Sequence, residues 1–280
     1  IKSNRVELKN AEVNFTPFTK ESVDAFTITA KSGEIKLTKE NGRWKVNGYE
    51  ASEKEVDDLF GNLKKLKVES LTSRNSENHK NYGVTDDEGA LLSFTKGGQT
   101  TAFIIGNSGK FGNGFYVRKQ SADNVYLVTG GSLSSELYQT AYVWRDKTVL
   151  DISKDDFQKA EIATGITTIT ITKNQEGKLL AGSGDQPVAL DEAATDRLFM
   201  TINPLIADDF LSDNEIPEFG QAADKITIRL SRSNGSPVEL QLVKKGDKWW
   251  GKSSEKDTYY RFPDSKFADI TSLEKWLEKK

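Results

Sequence analysis

The chain has 280 residues, of which 36% are hydrophobic and 29% charged, with 39 Lys and Arg against 42 Asp and Glu. This composition is typical of a soluble globular protein, and the interspersed charges exclude the basic stripe that nucleic-acid binding requires. No apolar run is long enough to cross a bilayer, and the absence of cysteine excludes disulfides and thiolate chemistry.

Short alternating segments open the chain and predict antiparallel hairpins. Residues 26–29 alternate apolar and polar side chains, and the segments 35–37 and 44–46 continue the pattern. The connections carry residues that favour hairpin turns, since Asn and Gly tolerate positive φ. Asn-Gly pairs occur at 41–42, 47–48, 113–114 and 234–235, and Gly97-Gly98 is a similar turn.

Four helices are predicted to interrupt the strands. Ser52 and Glu55 form a capping box ahead of a helix over 52–67. Asp191 is the predicted N-cap of a second helix over 191–206, which bends or ends near Pro204. A third helix begins at Ser132, and a fourth closes the chain. Their apolar stripes are Val56, Leu59, Phe60, Leu63 and Leu66; Ala194, Leu198, Phe199, Ile202 and Leu205; Leu133, Leu137 and Tyr138; and Phe267, Ile270, Leu273, Trp276 and Leu277.

The same order of elements occurs twice. It predicts an α+β fold made by tandem duplication of a β-rich unit, with antiparallel sheets, hairpins and one or two helices per repeat. Paired positions drift slowly in spacing, from Phe26 and Ile169 at 143 residues to Tyr116 and Trp250 at 134. We place the first repeat at 1–145 and the second at 146–280, near the usual size of a domain. The joining segment, 141–156, is rich in apolar residues and is expected to pack rigidly.

Candidate residues for catalysis are few. His79 lies in a polar stretch and is interpreted as a solvated loop residue. One histidine without cysteine excludes ordinary zinc chemistry. Residues 106–110 superficially resemble a phosphate loop, but their spacing is wrong and a strand follows, so we interpret them as a hairpin loop.

Clusters of carboxylates are interpreted as solvated charge, because none has the ligand spacing of a calcium loop. They lie at 86–88, 155–156, 208–209 and 213–215. We therefore expect no catalytic residue, no metal and no cofactor, and we predict that the protein is not an enzyme.

Two aromatic pairs near the end of the chain are the candidates for ligand contact. Trp249 and Trp250 lie between lysines in the stretch 248–252, and Tyr259-Tyr260 follows. The repeat pairing predicts instead an aromatic strand pair, with side chains alternating between the two faces. One of the two tryptophans is then buried and the other exposed, and the pattern does not decide which.

An aromatic residue followed by glycine comes after each long helix, as Tyr82-Gly83 and Phe219-Gly220. One reading makes the aromatic ring a ligand contact. The favoured interpretation is structural: the ring fills the core where the chain passes from helix to strand, and the glycine adopts a conformation that a side chain resists.

Several strings of residues are similar to the family called domain of unknown function 4340. They are Gly-Arg-Trp-Lys-Val-Asn at 42–47, Leu-x-x-Leu at 63–66, Tyr-Gly-Val at 82–84, Ile-Ile-Gly at 104–106, Tyr-Val-Arg at 116–118 and Val-Tyr-Leu-Val at 125–128. The likeness covers roughly 15–280, although the second half lacks a tryptophan within 181–188 and has Phe219 in place of the tyrosine.

This resemblance implies a bacterial extracytoplasmic protein that is tethered by a single N-terminal helix and accompanies ABC-type transporters of the gliding-motility kind. The family assigns no catalytic residues, so none is carried over. The chain begins at Ile1 rather than methionine, and we expect the anchor to lie upstream of it.

The favoured hypothesis is a non-catalytic envelope module, anchored at the cell surface or in the periplasm. Its expected partners are envelope proteins, ABC transporter subunits among them, and not nucleic acid. It predicts an apolar or aromatic patch at the repeat interface or at a sheet edge. The alternative is a cell-surface carbohydrate-binding or carbohydrate-processing protein, which requires Trp249 or Trp250 to contact the glycan.

Overall fold

A computed structural model describes residues 11–109, 112–131, 133–137, 139–165, 167–183, 192–211, 215, 219 and 224–272. The chain divides into two compact units, Ile1–Asp146 (unit 1) and Lys147–Lys280 (unit 2). The protein is β-rich, with antiparallel sheets and short helices, which confirms the α+β class. No helix within these residues is long and apolar enough to span a membrane.

Unit 1 is built on a nine-stranded antiparallel sheet in the order β4-β3-β2-β1-β6-β7-β8-β9-β5. Its strands are β1 (Ala25–Ala30), β2 (Gly33–Glu40), β3 (Arg43–Val46), β4 (Tyr49–Glu50), β5 (Lys67–Ser73), β6 (Ala90–Lys96), β7 (Gln99–Ser108), β8 (Phe115–Lys119) and β9 (Val125–Thr129).

The principal helix of unit 1, α1 (Glu53–Lys65), begins as the sequence predicts. Ser52 Oγ accepts a hydrogen bond from the backbone N–H of Glu55 at 3.4 Å. The capping box is only half formed, because the N–H of Ser52 donates to the carbonyl of Trp144 at 2.8 Å. Trp144 of the joining segment therefore lies at this helix end and accepts one of its backbone hydrogen bonds.

Shorter helices complete unit 1: a 3₁₀ turn (Ser76–Asn78), α2 (His79–Tyr82) and α3 (Ser134–Leu137). The sequence did not indicate the 3₁₀ turn or α2, since both lie in the predicted polar stretch. The predicted third helix corresponds to α3, and its apolar positions Leu133 and Leu137 are buried. Ser132 and Tyr138 lie outside the described residues.

The core of unit 1 lies between the α1 stripe and one face of the sheet, which we call the inner face. Aromatic rings dominate it. Phe26 packs 5.4 Å from Trp44 and 5.7 Å from both Phe60 and Trp144, measured between ring centroids. Such tilted and edge-on contacts add to the burial of apolar area.

Unit 2 is built on an eight-stranded antiparallel sheet in the order β13-β12-β11-β16-β17-β18-β19-β15, and a two-stranded sheet pairs β10 with β14. The strands are β10 (Thr148–Leu150), β11 (Phe157–Ala163), β12 (Thr168–Lys173), β13 (Leu179–Ser183), β14 (Leu205–Ile206), β15 (Asp209–Phe210), β16 (Lys225–Arg232), β17 (Val238–Lys245), β18 (Lys248–Ser253) and β19 (Tyr259–Pro263).

The helices of unit 2 are α4 (Glu192–Ile202), a 3₁₀ turn (Asp264–Phe267) and α5 (Ala268–Thr271). α4 ends before Pro204 as predicted, but Leu205 opens β14 and does not extend the helical stripe. Asn203 follows α4 and is buried, and its side chain pairs with both backbone groups of Ile152 at 2.7 and 2.8 Å. Asp191 lies outside the described residues, as do Leu273, Trp276 and Leu277 of the predicted last helix.

Without β4, the unit 1 sheet has the same strand order as the eight-stranded sheet of unit 2, which corrects part of the predicted pairing. Ile35 on β2 faces Ile28 on β1 in unit 1, and Ile169 on β12 faces Ile162 on β11 in unit 2. Ile169 therefore corresponds to Ile35, 134 positions earlier, and not to Phe26. The predicted pairing of the two units was displaced by one strand, because the sequence pattern did not indicate β11.

Three of the predicted turns have the expected backbone. Both residues have positive φ at 41–42, 47–48 and 97–98, as a type I′ turn requires. At 113–114 and 234–235 only the glycine has positive φ. Asn-Gly therefore marks these turns correctly but does not fix their type.

Candidate functional site

The aromatic strand β18 does not present a stacking platform. Trp249 is 2% exposed and Trp250 is 7% exposed, so the prediction that one of them faces solvent is wrong. Both faces of this interior strand are covered: Phe267 packs edge-on against Trp249 at 5.9 Å, and the ammonium of Lys245 lies 4.1 Å from the ring centroid of Trp250. Alternation assigns the two side chains to opposite faces, but it cannot say whether a face is open.

Asp264 fixes the orientation of Trp249. Its carboxylate accepts a hydrogen bond from the indole N–H at 2.9 Å and lies 2.9 Å from the Lys244 ammonium. The Lys244 contact first, and the indole second, hold the pKa of Asp264 below its usual value. This carboxylate is therefore ionised and engaged in holding the fold.

Tyr259 is the aromatic residue of this region that stays partly accessible, whereas Tyr260 is buried. The Lys252 ammonium donates to the Tyr259 hydroxyl at 3.2 Å and lies 4.7 Å from its ring centroid. Phe219 stacks on the same ring at 5.9 Å. A cavity of about 170 Å³ opens beside them and is lined by Glu239, Gln241, Lys252, Ser253 and Ser254.

The polar groups of this cavity bond to one another and to their neighbours. Glu239 accepts from the amide of Gln241 at 2.8 Å and pairs with Arg229 at 2.6 Å. Hydrogen bonds from Gln241 and then from Arg229 lower the pKa of Glu239 below its ordinary range. Glu239 is thus a carboxylate acceptor at neutral pH and is unsuited to act as a general acid.

Four of the strings that carry the family resemblance, at 82–84, 104–106, 116–118 and 125–128, contribute residues to the outer face of the unit 1 sheet, opposite the inner face. Val84, Ile104 and Val125 form a small buried group with the half-buried Tyr82, Leu91 and Tyr116, which we call the outer-face cluster. The rings of Tyr82 and Tyr116 lie 4.7 Å apart. Tyr82 therefore has the structural role that the sequence favoured, but in this second cluster and not in the principal core.

Arg118 holds the segment that covers this cluster. Its side chain is buried, and Nε donates to the carbonyl of Val84 at 2.8 Å. Nη1 donates to the carbonyls of Gln120 at 2.7 Å and Ala122 at 3.3 Å, while Nη2 reaches Asp86 at 2.9 Å. The guanidinium therefore binds two backbone segments to the sheet and is not available to a ligand.

Two glycines allow this close packing. Gly83 ends α2 at φ +65°, a left-handed conformation that favours glycine. Gly106 on β7 lies directly beneath the segment, where a Cβ atom would come within 2.2 Å of the Tyr82 carbonyl oxygen. The interpretation of 106–110 as a hairpin loop is wrong for Gly106 to Ser108, which belong to β7. Lys110 lies outside the described residues.

His79 is buried, so its interpretation as a solvated loop residue is wrong. It opens α2, and its Nε2 lies 2.8 Å from the carbonyl oxygen of Asp123. This bond joins α2 to the turn before β9. Sequence reasoning missed the burial because the neighbours of His79 in the chain are polar.

The carboxylate clusters have separate surroundings. Asp86 is exposed and pairs with Arg118, while Asp209 and Glu215 pair with Arg261. Asp213 lies outside the described residues. Among the residues that the structure describes, no three His, Cys, Asp or Glu side chains are placed to hold a metal ion.

Unit 2 also carries an open concavity between α4 and the segment 263–269, which we call the Met200 concavity. Its volume is about 520 Å³, and its lining is Arg197, Met200, Thr201, Pro263, Ser265, Lys266, Ala268 and Asp269. Met200 is 70% exposed, the largest fraction among the exposed large hydrophobic side chains described, which also include Tyr49, Leu180 and Ile206. An exposed methionine on a helix is typical of surfaces that adapt to a partner.

Comparison with known proteins gives one match. The family model described as Domain of unknown function (DUF4340) matches residues 44–231, well over half of the chain. The chain belongs to this family. No curated protein and no solved structure matches it.

The DUF4340 match begins at Trp44 on β3 and ends within β16. It includes the outer-face cluster, β13 and α4, and it excludes β18 and β19. The matched range is narrower than the likeness over 15–280 that the sequence strings indicated. The aromatic strand with Trp249 and Trp250 is thus not part of the DUF4340 match.

Proposed function

We propose that the protein is a non-catalytic extracytoplasmic module of the bacterial envelope that binds a protein partner. Its place is that of an accessory component of an ABC-type transporter or gliding-related complex. The membrane is contacted only through an N-terminal anchor outside this chain. These three statements follow what the DUF4340 resemblance implies.

The Met200 concavity is the observation that carries this proposal. An enclosed site for a small molecule is mostly apolar with a few directed polar groups. This concavity is open, and its apolar Met200, Pro263 and Ala268 are bordered by Arg197 and Lys266. An apolar centre with a polar rim is the usual composition of a protein interface.

Three of the polar groups described above support a role without catalysis. Arg118, Asp264 and Glu239 all bond to the chain's own backbone or side chains. Each therefore contributes to the fold in an arrangement that offers no matched pair of general acid and base.

We further propose that the two units arose by tandem duplication. From β3 to β5 in unit 1 and from β13 to β15 in unit 2, the strands follow the same spatial order. The register supports the same origin: Tyr126 faces Val117 as Tyr260 faces Gly251, with both pairs 134 residues apart.

Carbohydrate binding is the second candidate. The burial of Trp249 and Trp250 removes the platform on which it first depended. The cavity lined by Glu239, Gln241 and Lys252 favours it still, because its carboxylate, amide and hydroxyl groups suit sugar hydroxyls and Lys252 links them to the Tyr259 ring. Glycan-array binding that Tyr259→Ala abolishes would favour it over protein docking.

Affinity purification from native membranes tests the favoured proposal. The wild-type protein is expected to retain ABC transporter subunits, and Met200→Lys is expected to weaken this at least about tenfold by placing a charge in the apolar centre. Ile206→Lys is the matched control, since Ile206 is also exposed on unit 2 but lies outside the concavity. Equal loss in both variants, or retention of no envelope protein, would contradict the proposal.

A further inference from the structure

The two large sheets have four edge strands, and three of these are protected against pairing with a strand from another protein. Proteins protect such edges with very short strands, bulges, charges or proline. β4 and β15 have two residues each. β5 is longer, but its register with β9 is irregular at two places and it carries Lys67 and Glu69.

β13 has none of these protections. Its sequence is Leu-Leu-Ala-Gly-Ser, without charge or proline, and its register with β12 is regular over all five residues. Leu179 and Ala181 are buried, whereas Leu180 points to the other face and is 45% exposed. Within the described ranges, β12 is the only strand that pairs with β13.

We propose that β13 is a strand-addition site that takes an extended segment of a protein partner. Edge strands of this kind bind peptides through backbone hydrogen bonds, while alternate side chains give specificity. This inference rests on the proposed function and names the part of unit 2 that a partner's extended segment would pair with.

A second copy of the chain is expected to bind the β13 edge more weakly than a segment of a different protein. Five residues span only about 17 Å, and pairing two such edges falls far short of the roughly 1,200 Å² that a stable interface buries. A segment of a different protein is not restricted to this small buried area, because the rest of that protein can add contacts elsewhere.

The absence of charge on β13 indicates which partner segment it would bind. Because the strand offers no counter-charge, a charged side chain facing it would lose hydration without gaining a partner. The favoured segment is therefore uncharged over about five residues and alternates in the β pattern. Its apolar side chain lies beside Leu180, where it covers the exposed part of that residue.

Amide hydrogen exchange of the full chain tests the site with a defined probe. The probe is an acetylated and C-terminally amidated peptide of sequence Thr-Thr-Ile-Thr-Ile-Thr, which carries no charge and copies residues 167–172, from the strand that naturally pairs with β13. In the free protein, about half of the β13 amides should exchange quickly, since alternate N–H groups point away from β12. The peptide should slow them.

Leu180→Lys should weaken peptide binding at least about tenfold by placing a charge on the open edge. Thr172→Lys is the matched control. Thr172 faces Leu180 across the β12–β13 pair, so this substitution adds the same charge on the same face of the sheet, but on β12 and not on the edge strand. This control should bind as the wild type does.

Two results would overturn the inference. One is slow exchange of every β13 amide in the free protein, which would mean that the chain already closes this edge. The other is unchanged binding to Leu180→Lys, or peptide protection located on another strand. If β13 binds the peptide while native membranes yield no partner, the proposed function fails and the strand-addition site stands.

Discussion

Replacing Arg118 with methionine should release the segment that covers the outer-face cluster. Methionine keeps much of the apolar stem but removes every donor. The carbonyls of Val84, Gln120 and Ala122 then lose their guanidinium partner. Asp86 also loses its ion pair, but its side chain is 70% exposed and water replaces the lost contact.

The expected loss of stability follows from these contacts. A hydrogen bond to a charged group contributes about 1.5–3 kcal/mol when it is buried, and leaving a buried acceptor unpaired costs about 1–3 kcal/mol. The Val84 bond is buried and the other two carbonyls are partly buried. We expect a total of about 3–5 kcal/mol, while Asp86→Asn should cost less than about 1 kcal/mol because exposed ion pairs contribute little.

Urea unfolding measures the difference directly. With a slope of about 2 kcal/mol per molar urea for a domain of this size, a loss of 4 kcal/mol lowers the midpoint by about 2 M. Hydrogen exchange then assigns the effect, since His79 and Val84 belong to the released segment and should lose protection first.

A small effect would refute this reasoning. If Arg118→Met lowers stability by no more than Asp86→Asn does, the three carbonyls find other partners and the guanidinium is not what holds the segment. Equal loss of protection in unit 2 would also contradict it, because every contact of Arg118 described above lies within unit 1.

Two further predictions concern packing and charge. Gly106→Ala should cost about 1–3 kcal/mol through overpacking, whereas Gly61→Ala, with open space around it in α1, should stabilise by about 0.5–1 kcal/mol; urea midpoints that shift alike would contradict this. Asp264 has a pKa below its usual 3.8, so its contact with Lys244 stabilises the fold above that pH and is lost as pH falls through the lower, folded value. Asp264→Asn should therefore melt below the wild type at pH 7, with the gap closing towards pH 2, and a gap independent of pH would refute that cause.

Local signals in the sequence predicted much of the fold. Ser52 begins α1 because its hydroxyl satisfies a backbone donor, and α4 ends before Pro204 because proline cannot continue a helix. Alternation and turn residues located most of the hairpins for the same reason: they depend on neighbours a few residues apart.

Burial that depends on distant residues could not be predicted in this way. His79 is buried by the turn at Asp123, and nothing near it in the chain indicates this. Trp249 and Trp250 are both covered, because Phe267 packs on the first and the Lys245 side chain lies over the second. β11 was missed because charged residues interrupt its apolar positions, and the repeat pairing was consequently displaced by one strand. The Met200 concavity arises from two segments about 65 residues apart in sequence, and no motif marks it.

Site-specific photocrosslinking from position 200 in native membranes tests the central claim most directly. A crosslinking amino acid in place of Met200 should join the protein to an ABC transporter subunit, because the proposal places a partner over this exposed side chain. The same group at the exposed Ser236, in the turn between β16 and β17 and outside the lining of the concavity, should not give that product. Crosslinks of equal yield from both positions, or none to an envelope protein from position 200, would contradict the account.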